Sequence, residues 1–309
     1  LNTGGRYKPA TDSWAATSTA APAPGARDSH VAVWDGSTMI VWGGRPIGGG
    51  ASNTGGRYNP ATDTWTATST GANLPTQRLG FAGVWSGTEM IVWGGFSGFA
   101  TQYLNNGGRY NPGTNSWTAT STGANLPVSR WLHTGVWTGS EMIVWGGQND
   151  SVSFNTGGRY NPGTDTWLST STGANVPSPV IFHSAVWTGS EMIIYGGQPG
   201  GGARYNPPAD SWSANAAGPA SRNLQTAVWT GTDMIVWGGY LSSTEYSNGG
   251  RFVPATNTWG VSSLTTGSGA NVPSARFDHT AVFTGSTDQR MIVWGGQGST
   301  AGGARTQTG

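Results

Sequence analysis

The 309-residue chain contains no cysteine. That excludes disulfides and any thiolate metal site. Charge is also scarce, at 9% of residues, where an average soluble domain carries roughly a quarter. Lys8 is the only lysine beside fourteen arginines, and the net charge is +1. A balance that small gives no electrostatic footprint for nucleic acid or an anionic membrane. No run approaches the ~18 apolar residues of a membrane helix, so no membrane insertion is expected. No stretch carries the 3.6-residue helical period. The chain starts at Leu1 without an initiator methionine or a signal peptide, as a mature or trimmed product would. Solubility then rests on Thr, Ser, Asn and Gln. That composition suits a secreted or bacterial-type cell-surface protein, the expected location.

What the chain does contain is repetition. HTGVWTGSEMIVWGG (133–147) returns in five variants, at 30–44, 81–95, 183–197, 225–239 and 279–296. A second unit, GGRYNPGTNSW (107–117), has versions at 4–14, 55–65, 157–167, 202–212 and 249–259. A period of 42 to 54 residues means a propeller or a solenoid, in which each unit needs its neighbours to bury its faces.

Each repeat reads as four short strands. GVW and MIVW flank a Thr-Gly or Asp-Gly hairpin turn and form strands A and B. MIVW is apolar throughout, as expected of a strand covered on both faces. After a double glycine and a variable loop, GGRY forms strand C, an Asn-Pro turn follows, and a tryptophan opens strand D. The fold class is therefore all-β: a six-bladed β-propeller of four-stranded antiparallel blades, with a solenoid as runner-up. The blades are expected at 20–70, 71–122, 123–172, 173–216, 217–264 and 265–301. Residues 1–19 complete the last blade and close the ring, making 1–309 one domain. The tail 302–305, GGAR, competes for the same slot, but residues 1–19 bring Tyr7 and Trp14. Sixteen of the seventeen tryptophans occupy framework slots on strands A, B and D, where they wedge blades together rather than present ligand platforms.

The double glycine after an apolar strand, the Arg-Tyr-Asn-Pro turn and the tryptophan about ten residues past the second double glycine resemble the kelch repeat. The resemblance covers nearly the whole chain. It implies four-stranded blades around a central channel, with the D-to-A and B-to-C loops sharing a binding face. It implies no single activity: kelch propellers include protein-interaction modules, glycan-associated domains and some enzymes. Copper chemistry of the galactose oxidase type needs a Cys–Tyr cross-link, which a cysteine-free chain lacks. No motif carries over from the six-bladed sialic-acid mutarotases. The close likeness of the repeats fits recent duplication or consensus engineering.

All four histidines, His30, His133, His183 and His279, share one repeat slot. A metal ring is weighed against hydrogen bonding to loop backbone, and the latter is preferred; no metal or cofactor is expected. The loop arginines Arg27, Arg78, Arg130, Arg222 and Arg276 either meet acidic ligands or bond neighbouring loops, and Val180 breaks their series. The residues that break the repeat are the informative ones. Trp131 lies outside the framework slots, Phe182 holds a nearby place, and the B-to-C loops add Phe96, Phe99, Tyr103, Phe154, Tyr240 and Tyr246. Aromatic faces beside amides and arginines suit sugar rings or a protein partner. The candidate ligand-binding set is Trp131, Phe182, Arg78, Arg130, Arg222, Arg276, Phe99, Tyr103 and Tyr240. Asp28 and Asp278, with His30 and His279, form a possible acid/base cluster near the channel mouth, with a loop ion-pair network as the plainer reading.

The leading functional reading is a non-catalytic, monomeric propeller that engages a glycan or protein partner on the loop face. A sugar-modifying enzyme of the mutarotase or epimerase kind is the first alternative. A structural unit of a larger chain or assembly is the second.

Overall fold

The computed structural model describes residues 2–98, 102–150, 152–260, 273–285 and 290–298. The chain is all-β; the one helical element among the described residues is the 3-10 turn Pro9–Thr11. Five four-stranded antiparallel sheets repeat one order, A-B-C-D. The first is Val31–Trp34, Met39–Trp42, Gly55–Asn59 and Thr64–Ala67. The second is Ala82–Trp85, Met90–Trp93, Gly107–Asn111 and Ser116–Ala119. The third starts at Thr134–Trp137, the fourth at Ile181–Trp187 and the fifth at Thr226–Trp229. Gly5–Lys8 with Ser13–Ala16, and Thr280–Phe283 with Met291–Trp294, stand as separate two-stranded sheets. The expected pairing of residues 1–19 with the last hairpin is not among the sheets; residues 261–272, 286–289 and 299–309, which flank those strands, lie outside the described residues.

Two compact units divide the chain. One is Leu1–Val144 with Gln148–Val152 and Gly158–Ser169; the other is Trp145–Gly147, Ser153–Gly157 and Thr170–Gly309. Within the first, strand B of one blade lies against the next blade. Ile40 and Trp42 are fully buried with Phe81, Met90, Val92, Tyr110 and Trp117. Ile91 and Trp93 do the same with Met142, Val144, Tyr160 and Trp167. In the second unit Ile193 and Tyr195 pack with Met234, Val236 and Phe252. The strand-B indoles pack at a tilt against the strand-D indole of the following blade, at ring distances of 4.9 Å for Trp42–Trp117, 5.2 Å for Trp93–Trp167 and 5.0 Å for Trp145–Trp212. At roughly 25 cal/mol per Å² of apolar area, rings of this size are the main inter-blade adhesive.

Polar ties recur at the same joints. In the five four-stranded sheets the strand-D indole N–H donates to the linker carbonyl before it, as Trp117 does to Ser69 at 3.2 Å and Trp167 to Ser121 at 3.1 Å. The strand-C arginines donate to the turn proline of the next blade: Arg6 to Pro60 at 2.6 Å, Arg57 to Pro112, and Arg109 to Pro162 at 2.7 Å. The first glycine after strand B needs its missing side chain. A Cβ on Gly94 would lie 2.6 Å from the His133 ring, and one on Gly146 2.6 Å from that of His183, both with φ near +70°. The double glycine therefore lets the neighbouring blade close down on the strand end.

Candidate functional site

The loop face is built by a clamp. In the first, second and fifth blades the arginine of the D-to-A loop reaches to the two feet of its own blade's B-to-C loop. Arg78 Nη1 donates to the carbonyls of Gly94 (2.9 Å) and Asn106 (2.8 Å), Nη2 to Asn106 Oδ1 (2.8 Å) and Nε to Thr76 (3.0 Å). Arg222 repeats this at Gly238 and Asn248, and stacks its guanidinium 4.1 Å over the Tyr246 ring. Arg27 repeats it at Gly43 and Thr54. Burial pushes Arg78 down to about 9 and Arg130 to about 10. This corrects the ligand-binding expectation for Arg78, Arg130, Arg222 and Arg276. All four are at most 2% exposed, and the guanidinium donors of Arg78 and Arg222 are spent on loop carbonyls. Val180 stands in this slot in the fourth blade, whose short loop closes directly through Gly196 N–H to Gly201 at 2.8 Å.

The histidines are framework as well. His133, His183 and His279 pack edge-on against Trp93, Trp145 and Trp237 at ring distances of 5.4, 5.6 and 5.2 Å. His279 Nε2 also shares a 2.7 Å hydrogen bond with Thr226 Oγ1. Its imidazole is thereby committed to packing, which corrects its placing as a catalytic candidate. Asp28 forms a 3.1 Å ion pair with Arg45, whose side chain is 57% exposed, the plainer of the two readings weighed for it. His30 and Asp278 are exposed.

Of the repeat-breaking aromatics, Trp131, Phe96 and Tyr103 form one cluster, with ring distances of 5.6 Å (Phe96–Trp131), 5.3 Å (Phe96–Tyr103) and 6.1 Å (Tyr103–Trp131). Trp131 is part-exposed, and its Nε1 is buried with no acceptor. Tyr240 pairs with Phe277 at 5.1 Å. Phe99 lies outside the described residues.

The sequence reading missed the most unusual backbone of this face. Two residues past the loop-arginine slot, every blade has positive φ: Ser29 (53°), Gly80 (59°), Leu132 (56°), Phe182 (57°), Leu224 (56°) and Asp278 (59°). Their backbones bond one to the next. Leu132 N–H donates to Gly80 O at 2.9 Å in one unit; in the other Leu224 donates to Phe182 at 3.4 Å and Asp278 to Leu224 at 3.1 Å. Glycine, serine and aspartate tolerate this conformation. Leucine and phenylalanine pay about 1–2 kcal/mol each for it. Leu132, Phe182 and Leu224 are all part-exposed. The signal that could have found Leu132 and Leu224 was their slot, which varies from blade to blade two residues past the arginine series.

Four-stranded antiparallel blades joined by strand-B and strand-D aromatics, with a loop face clamped by buried arginines, define a β-propeller repeat protein. The KLHDC2/KLHL20/DRC7 Kelch-repeats domain model matches residues 2–197, and the chain belongs to the kelch-repeat family. It is similar to Kelch domain-containing protein 3 of Bos taurus, at 29% identity over 127 residues, 41% of this chain and 33% of that protein. The Mus musculus and Homo sapiens proteins of that name are each 28% identical over the same length. The match thus spans about a third of these relatives.

Proposed function

We propose that this kelch protein is a non-catalytic interaction propeller that takes a protein partner on its loop face. The carrying observation is that part-exposed apolar residues are held in left-handed backbone in each unit, Leu132 in one and Phe182 and Leu224 in the other. Strain kept on an accessible face is a mark of a binding surface. Within the first unit the aromatic cluster of Phe96, Tyr103 and Trp131 adds to it, and part-buried aromatics are the side chains that anchor protein interfaces. Because the loop arginines are internal, apolar anchoring carries more of this reading than acidic or glycan recognition does.

The test exchanges Leu132, Phe182 and Leu224 together for asparagine, which tolerates positive φ. Lost burial and relieved strain then offset, and the melting temperature stays within about 2–4 °C, since roughly 1 kcal/mol moves a domain of this size that far. Proteins cross-linked in its native extract by the unaltered chain fall at least tenfold in recovery with the triple variant. Recovery that is unchanged at matched folding rejects the face.

The same reading holds that six blades close into one ring, with Gly5–Lys8 pairing Met291–Trp294. In the first blade Met39 opposes Tyr58 and Ile40 opposes Arg57; by the repeat, Met291 opposes Tyr7 and Ile292 opposes Arg6. A chain with no cysteine makes the check clean. Arg6→Cys with Ile292→Cys is expected to oxidise to a disulfide at monomer mass, as cross-strand neighbours allow. A dimeric product, or none, rejects closure in this form.

A further inference from the structure

The first blade departs from the repeat on the opposite face, at its A–B turn. In the next four blades a carboxylate occupies the residue before the MIVW or MIIY strand, and it pairs with the strand-C arginine. Glu89 lies 3.7 Å from Arg109, Glu141 3.1 Å from Arg159, Glu191 3.9 Å from Arg204, and Asp233 2.7 Å from Arg251. In the first blade that position is Thr38. Among the described residues Arg57 has no carboxylate within the 4.0 Å that defines an ion pair. Its Nη1 donates to the Pro112 carbonyl, and its Nε is buried with no acceptor. The Nε atoms of Arg109 and Arg204 also lack an acceptor, but a carboxylate balances each of those guanidiniums. The acid has moved three residues, to Asp35, and is committed there. Its oxygens accept from the backbone N–H groups of Ser37 (2.8 Å) and Thr38 (2.6 Å) and from both hydroxyls.

An open surface depression of about 530 Å³ lies here, lined by Asp35, Thr38, Arg57, Trp85, Thr88 and Asn111 among others. Asn111 Oδ1 is taken by Gly113 N–H at 2.9 Å and Thr114 N–H at 3.2 Å, so its amide donors are what it offers a ligand. The wall is thus one guanidinium, one indole, one amide, hydroxyls and a carboxylate.

We propose that this depression is a binding site for an acidic sugar, a hexuronate. Its carboxylate takes the place of the missing glutamate and pairs with the Arg57 guanidinium, whose planar fork matches it. Its apolar C–H face lies against Trp85. Its hydroxyls meet Asn111, Thr88 and Asp35, while Asp35 repels any pose that puts the carboxylate on its side. The site is independent of the loop face.

The probe is D-glucuronate, followed by saturation-transfer NMR and calorimetry on the full chain, with D-glucose and acetate in parallel. Saturable glucuronate binding is expected, at least tenfold tighter than either. Thr38→Glu restores the ion pair of the other blades, keeps the fold and weakens glucuronate at least tenfold. Arg57→Gln does the same, whereas the loop-face triple variant leaves binding unchanged. No binding to the unaltered chain, equal binding of glucose, or full binding by Thr38→Glu overturns the site. Acetate binding as tightly as glucuronate leaves a bare anion site and overturns the sugar.

Discussion

Arg78→Met is expected to destabilise the protein by about 2–4 kcal/mol, given that each buried polar group left without a partner costs about 1–3 kcal/mol. Four acceptors lose their donor: the carbonyls of Gly94, Asn106 and Thr76, and Asn106 Oδ1. Two effects oppose each other. Removing the charge relieves a desolvation cost, visible in the fall of Arg78 to about 9. Against that, the buried Gly94 carbonyl and the part-buried groups of Asn106 lose a donor that is itself 0% exposed. The second effect wins, because methionine fills the volume but has no donor. Thermal unfolding would show a drop of roughly 5–12 °C. Arg45→Met, at an exposed ion pair, is the control and changes stability by no more than about 0.5 kcal/mol. If Arg78→Met melts like Arg45→Met, the clamp is not what holds the loop. Lysine does not rescue, since one ammonium cannot span the fork of acceptors.

The second large effect is acid sensitivity. Burial lowers His183 to about 3; burial, with Arg276 adding to it, lowers His279 to about 4. An unfolded histidine titrates near 6.5. Between the two values the unfolded chain holds a proton that the folded chain refuses, so stability falls as pH drops below about 6.5. It levels off once the folded-state values are passed. At about 1.4 kcal/mol per unit, the two residues remove several kcal/mol by pH 4. Carboxylates held low by hydrogen bonds, such as Asp35 with Thr38 and Ser37, lose stability in the same direction, so the discriminating measurement is a difference. His183→Gln is the variant, because Gln225 already fills that slot and donates to the Tyr195 carbonyl at 2.8 Å. Urea unfolding at pH 7 and pH 4.5 should show a smaller loss for His183→Gln by roughly 2 kcal/mol, as expected where one such group no longer charges. Equal losses would mean that His183 charges without cost and is not sealed in the core.

What was legible in the chain followed from repetition. A period near fifty residues, MIVW strands with no polar face, and tryptophans at fixed steps allow few arrangements, because each sheet must bury both sides against copies of itself. Strand order, register and the indole packing are consequences of that constraint. Side-chain direction and charge partnership were not legible. Nothing in Pro-x-x-Arg distinguishes an arginine turned to a ligand from one turned inward to loop carbonyls; only the return of Asn106 and Asn248 to the same place decides it. Likewise, Leu132 and Leu224 look like ordinary loop residues until the backbone gives them positive φ. The substitution of Thr38 for an acid is plain in the sequence, but it gains meaning only once Arg57, about 60 Å away if the strand were drawn out at about 3.3 Å per residue, is folded back against it. A linear chain fixes which contacts are chemically possible; the pairing of strands across loops decides which of them are made.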